Sequence, residues 1–344
     1  MLGSSPLHLI DVDDVADLKD LLDKQPQELA AALGGPTLVH LRGQRDDALV
    51  VSSLLHGNEP AGWRAMTGLL HELLRSGRPV GRDVLWFIGN VDAAAKGARR
   101  LHHQLDFNRI WSGLGDTEVE HIAQDVLARF AAQPTFATVD IHNTTGRNPP
   151  YACVTSMTGG HLELARKFSD ICVFADQQMG RFTEACSKLG SSITIECGTP
   201  DHLEGSLRAQ SLLTQLLDAD AAARLDDHGA DMVLYESFAT VTIDDDVSVG
   251  FDKAVDTDVR FTPDLDASNF ARIAAGTPLG RINSHGWNGL RVRSAGQEVQ
   301  RDDVFVVDDG VLKAKVDLVP QMLTPDPVII HQDCLCYLLA PLSR

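Results

Sequence analysis

The 344-residue sequence contains no run of the roughly 18 apolar residues that a membrane helix needs. Its opening, Met1 to Asp20, has no basic segment leading into an apolar core of the kind that directs secretion. A cytoplasmic protein without a membrane partner is therefore expected. Positive charge is also scarce: 30 Lys and Arg stand against 48 Asp and Glu, a net charge of −18. Such a surface repels phosphate backbones, so nucleic acid is not an expected partner, and the excess of carboxylates reads as a solvated exterior. The six cysteines (Cys153, Cys172, Cys186, Cys197, Cys334 and Cys336) show neither a zinc-knuckle spacing nor a compact disulfide framework. They are expected to be reduced core residues, with Cys334 and Cys336 on one face of a strand. Neither a long internal repeat nor a low-complexity segment is present.

What is there alternates. Apolar positions at helical spacing over 13–33 end at Gly34-Gly35-Pro36. Strands are expected at 37–42 and 48–55, joined by a turn over 43–47, and a helix after Pro60 that stops near Gly77. Strands at 84–88, 135–141, 151–155, 171–174 and 192–196 follow, with helices at 117–132, 161–169 and 204–223 between them. This order predicts an α/β domain, a sheet covered by helices on both faces, with its sites at the carboxyl ends of the strands. From Met232 onward short alternating segments separated by Asp, Gly and Pro turns predict a β-rich second domain. The domains are expected at 1–220 and 221–344, with the boundary between Asp218 and Ala230.

Chemistry-bearing residues gather at the strand ends. His56-Gly57-Asn58-Glu59-Pro60 follows the apolar run Ala48-Leu49-Val50-Val51, and a histidine and a carboxylate three residues apart can converge on one divalent metal. A satisfied strand-end histidine and a helix-capping Glu59-Pro60 would look the same in this stretch alone. His142 leaves the strand Phe136–Ile141 at the same crevice, so His56, Glu59 and His142 make a three-ligand set suited to zinc with one position left for water. Asp140 is placed to orient a ligating imidazole through its other nitrogen. The apolar strand Ser192-Ile193-Thr194-Ile195 delivers Glu196, whose charged form burial disfavours, as suits a general base near neutral pH. Asn108 and Arg109 offer an amide and a guanidinium fork for a substrate carboxylate. Arg99 or Arg100 can stabilise an oxyanion. His102 and His103, adjacent and so divergent, are expected to face solvent or to stand behind the ligands.

His56-Gly57-Asn58-Glu59, Gly89-Asn90, Asp106-Phe107-Asn108-Arg109, Asp140-Ile141-His142-Asn143-Thr144-Thr145 and Ile195-Glu196-Cys197-Gly198, in that order, resemble the succinylglutamate desuccinylase and aspartoacylase family, a branch of the zinc carboxypeptidase-like hydrolases. The resemblance covers roughly residues 37 to 215. It implies a zinc-carboxypeptidase-like mixed sheet with a β-rich C-terminal domain leaning over the site, and one Zn2+ per chain on His56, Glu59 and His142. It further implies Glu196 as the base, Arg100 as the carbonyl polariser, and Asn108, Arg109 and Asn143 at the substrate. Ile273 to Ile282 is similar to the turn-and-strand pattern of the C-terminal fold in such enzymes.

Two departures bear on the substrate. The family arginine usually stands seven positions before the motif asparagine, where this sequence has Leu101, with Arg100 one step further away. The arginine that grips a side-chain carboxylate in aspartoacylase would fall at Cys186, and the nearest arginine upstream is Arg181. N-acetylaspartate is therefore not the expected substrate. The expected activity is zinc-dependent hydrolysis of the amide of a small N-acyl amino acid. A carboxypeptidase acting on short peptides and a non-catalytic metal-dependent sensor or binding module remain as rivals, and homo-oligomerisation stays open.

Overall fold

A computed structural model describes residues 7–175, 179–219, 232–251, 256–294 and 297–342. The chain forms two compact units. The first comprises Met1–Asn143, Pro150–Cys172 and Gln178–Met232, and the second Thr144–Pro149, Val173–Gln177 and Val233–Arg344. The sharp boundary expected between Asp218 and Ala230 falls mostly on residues 220–231, which lie outside the described residues.

The first unit is built on a mixed sheet. Its strands are β1 (His8–Val12), β2 (Thr37–Leu41), β3 (Ala48–Ser53), β4 (Val84–Ile88), β5 (Thr135–His142), β6 (Tyr151–Val154), the first half (Ile171 and Cys172) of β7 (Ile171–Phe174), and β8 (Ser192–Glu196), and their spatial order is β1-β2-β4-β3-β5-β8-β6-β7. The central strands β4, β3, β5 and β8 run parallel, while β2 and β6 are antiparallel to their neighbours β4 and β8. Every residue of β3, β4 and β8 is buried, which explains why these strands read as continuous apolar runs. The turn over 43–47 joins β2 to β3 without making a hairpin, because β4 lies between them.

Helices cover both faces. Leu38, Ala48, Val50, Leu85 and Phe87 pack with Ile122, Ala123, Val126 and Phe130 of α2 (Glu118–Phe130). On the opposite face Trp86 stacks at 5.1 Å on Trp63 of α1 (Ala61–Ser76). Gly62 of α1 lies so close to Ser53 that a Cβ there would meet the serine Cβ at 2.8 Å. α1 ends at Gly77 in the left-handed conformation, a stop that glycine alone adopts cheaply. Three further helices are α3 (Gly159–Phe168), α4 (Phe182–Cys186) and α5 (Leu203–Asp218).

The structure departs from the sequence reading at the start. Residues 13–33 form four short helical pieces, Val15–Leu18, Lys19–Leu22, Pro26–Glu28 and Leu29–Leu33. Proline has no N–H and disfavours a helical residue before it, and Gln25 is extended at φ −83°, ψ 155°. β1 leaves no apolar alternation to read in the sequence, since three of its five positions are exposed and none is buried.

The second unit is rich in β structure. Val233–Ile243 is one eleven-residue strand, β9, longer than the short segments expected from Met232 onward. It pairs antiparallel with β10 (Leu290–Ser294) on one side and with β11 (Cys336–Pro341) on the other. A separate sheet has the order Val249–Gly250, Val259–Phe261, Pro278–Ile282, Val311–Ala314, Phe305–Asp308. Val241, Val259, Leu290, Val292, Leu312 and Leu338 share one apolar core. All six cysteines are free thiols, five of them buried and Cys153 partly so. Cys334 precedes β11 rather than sharing a strand face with Cys336, because the strand begins only at Cys336. Among the described residues no helix is long and apolar enough to cross a membrane.

Candidate active site

Strand register assembles the site. On the face covered by α2, Ser52, Asp140 and Thr194 are direct neighbours across β3, β5 and β8, and two residues further on His142 is paired with Glu196. Period-two alternation puts all five side chains on one face, with His142 and Glu196 at the carboxyl edge. β3 ends at Ser53, and the chain leaves it through the buried Leu54, which has φ +56°. A branched residue in that region is strained by about 1–3 kcal/mol and persists only where its surroundings over-determine it. Here they do: Asn90 N–H donates to the Leu54 carbonyl at 2.7 Å, Gly89 N–H donates to that of Ser53, and Gly57 N–H donates to that of Arg99. His56 and Glu59 follow within this pinned turn.

His56, Glu59 and His142 are all buried, and their ligand atoms lie within 4.8 Å of one another. His56 Nδ1 is 2.8 Å from Glu59 Oε1 and His142 Nδ1 is 2.7 Å from Glu59 Oε2. The other ring nitrogens each meet a second carboxylate, Asp106 at 3.1 Å from His56 Nε2 and Asp140 at 3.0 Å from His142 Nε2. Two imidazoles and a carboxylate converging in a buried place, each imidazole braced behind by an acid, is a donor set that fits a zinc ion.

The charges are mutually supporting. Burial and Arg99 push the His56 pKa down, but Glu59 and Asp106 outweigh them and hold it above the ordinary value. His142 stands well above that value despite its burial, through Asp140 and Glu59. Glu59 and Asp106 are held well below the usual carboxylate range, the histidines overcoming the burial that acts in the other direction. Glu196 behaves differently. Desolvation dominates and pushes it up to about 8, and its buried Oε2 has no hydrogen-bond partner.

The remaining sequence candidates are placed unequally. Arg99, not Arg100, reaches the cluster: its Nη1 is 3.4 Å from Glu59 and its Nη2 3.2 Å from Asp106. Arg100 donates to the Gln104 carbonyl at 3.1 Å, in a turn that Gln104 closes by accepting from Leu101 N–H and Asn90 Nδ2. Asn108 is buried, accepting from Phe182 N–H at 3.0 Å and lying 3.3 Å from His142 Nε2. Arg109 donates to the Asn108 carbonyl. Asn143 has its amide engaged, accepting from Ala61 N–H at 2.9 Å and donating to the Gly198 carbonyl at 2.8 Å, so it braces the turns after Glu59 and Glu196. His102 and His103 are exposed.

Asp106 is the residue that motif reading left without a role, although it stands two positions before Asn108. It receives Asn108 N–H at 2.7 Å and orients His56 as Asp140 orients His142. Asp140 is in turn reached by the Ser52 hydroxyl, and by those of Thr183 and Thr194 at 3.5 Å. Cys186 is fully buried in the apolar cluster with Phe130, Trp111 and Phe182 and presents nothing to a substrate. Arg181 lies against Glu184 and the Met179 sulfur.

A family model for the succinylglutamate desuccinylase/aspartoacylase catalytic domain matches residues 46–216, the stretch that carries every residue of this cluster. Through that stretch the chain belongs to the succinylglutamate desuccinylase/aspartoacylase family. Within the family, a succinylglutamate desuccinylase of Serratia proteamaculans (strain 568) is 34% identical over 92 residues, 25% of this chain and 28% of the relative. That match spans little more than a quarter of the relative's length. The fold extends further. The succinylglutamate desuccinylase structure from Chromobacterium violaceum has a TM-score of 0.56 at 16% identity, covering 87% of this chain and 86% of that one. Murine aminoacylase 3 has a TM-score of 0.51 at 17% identity, covering 87% and 95%. Desuccinylase/aspartoacylase architecture thus accounts for the mixed sheet and for the β structure that follows it.

Proposed function

We propose that the protein is a zinc-dependent deacylase that hydrolyses the amide bond of a small N-acyl amino acid. The observation that carries this reading is the pairing of His142 with Glu196 at one strand edge, beside His56 and Glu59, with the Glu196 Oε2 buried and unpartnered. Membership of the desuccinylase/aspartoacylase family and the fold likeness to an aminoacylase point the same way.

His56, Glu59 and His142 would hold one zinc per chain. When bound, the ion supplies Lewis acidity, polarising the acyl carbonyl and bringing the pKa of water down towards about 7. Glu196 takes the proton of the attacking water on its free Oε2 and returns it to the leaving amine; its raised pKa suits both transfers near neutral pH. Of the two adjacent guanidiniums we place Arg99 rather than Arg100 at the developing oxyanion, because Arg99 lies beside Glu59. Arg109 would grip the substrate carboxylate, with Asn108 setting its position and Asn143 holding the motif turns together. With Cys186 in the core, no arginine stands at that position to read an acidic side chain, which favours substrates other than N-acetylaspartate.

To the same reading belong a zinc-carboxypeptidase-like catalytic domain at 1–220, a β-rich C-terminal domain at 221–344, and a cytoplasmic setting without nucleic-acid or membrane partners. The test is elemental analysis followed by amine release from N-acyl amino acids that vary in both acyl group and side chain, with short peptides alongside. Hydrolysis of N-acyl amino acids in preference to peptides is the expected result. Preference for peptides would make the protein a carboxypeptidase, and bound zinc without any hydrolysis would make it a binding module.

A further inference from the structure

The strand that carries His142 passes directly into a loop with an unusual number of anchors. Thr144–Pro149 belongs by its contacts to the second compact unit, whereas His142 and Asn143 belong to the first. Arg147 donates to Asp266 Oδ2 from both its backbone N–H and its Nε, at 3.0 and 3.1 Å, and to Oδ1 from Nη2 at 2.8 Å. Asn269 donates to the carbonyls of Arg147 and Leu323 and accepts from Leu323 N–H. Asn148 accepts from Met322 N–H at 3.0 Å. Gly146 sits so tightly that a Cβ would lie 1.7 Å from the Leu323 carbonyl oxygen.

The contact points are themselves strained. Phe270, next to Asn269, has φ +57°, and Met322, which meets Asn148, has φ +62°. Non-glycine residues keep such conformations where surrounding contacts over-determine them, and these two flank the grip on one loop. Asp266 is buried while the Arg147 side chain is about half exposed (56%), so the pair's value lies in geometry rather than in stability.

We propose that Arg147 is a positioning residue for the metal-binding strand: through Asp266 it fixes the loop that leaves His142, and with it the setting of His142 and Asn143 against Glu59 and Glu196. The idea rests on His142 being a zinc ligand. Four residues lie between His142 and Arg147, and of these only Asn143 is in the first unit, where it already contacts Glu59, Ala61 and Gly198. A loop freed at Arg147 therefore acts on the site with little slack.

The test compares Arg147→Ala and Arg147→Lys with Arg272→Ala in the full chain. Arg272 donates from Nε and Nη2 to a single oxygen, Oδ2, of the exposed Asp317 in the same unit, so its loss reports general effects of removing an ion pair there. Zinc affinity is read by competition with a chromophoric chelator, and ligand geometry by the visible spectrum of the cobalt-substituted protein. Arg147→Ala is expected to weaken zinc binding by about 10-fold or more and to change the cobalt spectrum, as loss of a supporting group behind a ligand does. Arg147→Lys should recover part of the affinity and Arg272→Ala should match the parent. Arg147→Ala with the parent's affinity and spectrum overturns the inference while leaving the zinc reading intact. A parent protein that takes up no zinc overturns both.

Discussion

Substituting Gly57 by alanine tests how rigidly the turn holds His56 and Glu59. Gly57 has no positive φ, so alanine itself is allowed there. What forbids it is space: the new Cβ would lie 2.1 Å from Ala94 N, 2.3 Å from the Ala93 carbonyl carbon and 2.8 Å from the Ala93 Cβ. Carbon contacts settle at roughly 3.5–4.0 Å, so the turn must withdraw by about 1 Å. Overpacking of this kind costs about 1–3 kcal/mol of stability. A misplacement of that size in a positioned group costs about 100-fold in rate. The Arg99 carbonyl, which accepts from Gly57 N–H, would move with it, so both the ligands and the guanidinium are disturbed. Thermal unfolding of the metal-free protein measures the loss of stability and kcat the loss of rate, while zinc competition reports on the ligand turn itself. Gly97→Ala is the control: its φ is +60° and nothing lies within 4 Å, so it should cost stability alone, about 1–2 kcal/mol. Gly57→Ala that binds zinc as tightly as the parent would refute the claim that this contact sets the ligand turn.

Replacing Glu196 by glutamine should leave zinc bound and lower turnover by about 10²–10⁴-fold, measured as kcat on the best N-acyl substrate; metal loss with activity retained contradicts the assignment. Arg99→Ala should lower kcat by about 10²–10³-fold while Arg100→Ala stays near the parent, and equal losses would undo the choice between them. The metal-free protein should lose stability as pH rises above about 6.5. Histidines held up by carboxylates stabilise the fold fully below that value and cease to do so above their folded pKa, and a carboxyl raised by burial, as Glu196 is, becomes costly between about 4.5 and 8. Zinc requires neutral imidazoles, so the gain in Tm on adding zinc should widen with pH. A metal-free Tm that climbs over this range is the opposite result.

The strands that hold the site were legible because each is buried on both faces and bounded by Gly, Asn or Pro, as with Val84–Ile88 before Gly89-Asn90. His56, Glu59, His142 and Glu196 could be grouped because all four stand at carboxyl ends of such strands, or in the turn just after one. Which of two adjacent arginines turns inward was not legible, since that depends on Gln104 closing a turn across Leu101 and Asn90. The insertion of Val84–Ile88 between Thr37–Leu41 and Ala48–Ser53 was hidden for a related reason: local spacing carries no record of a strand that arrives thirty residues later. The four helical pieces over Val15–Leu33 show the converse, where Pro26 interrupts a periodicity that looks continuous. Asp106 was in plain view and lacked only a partner, which the fold supplies in His56.

The most direct measurement is amine release from a panel of N-acyl amino acids by the zinc-reconstituted protein, with Glu196→Gln as the blank. The expected result is hydrolysis of at least one member of the panel by the parent, abolished by chelation and restored by zinc, and slower by about 10²–10⁴-fold in the variant. Zinc bound at one per chain with no amide cleaved, or equal rates for parent and variant, would contradict it.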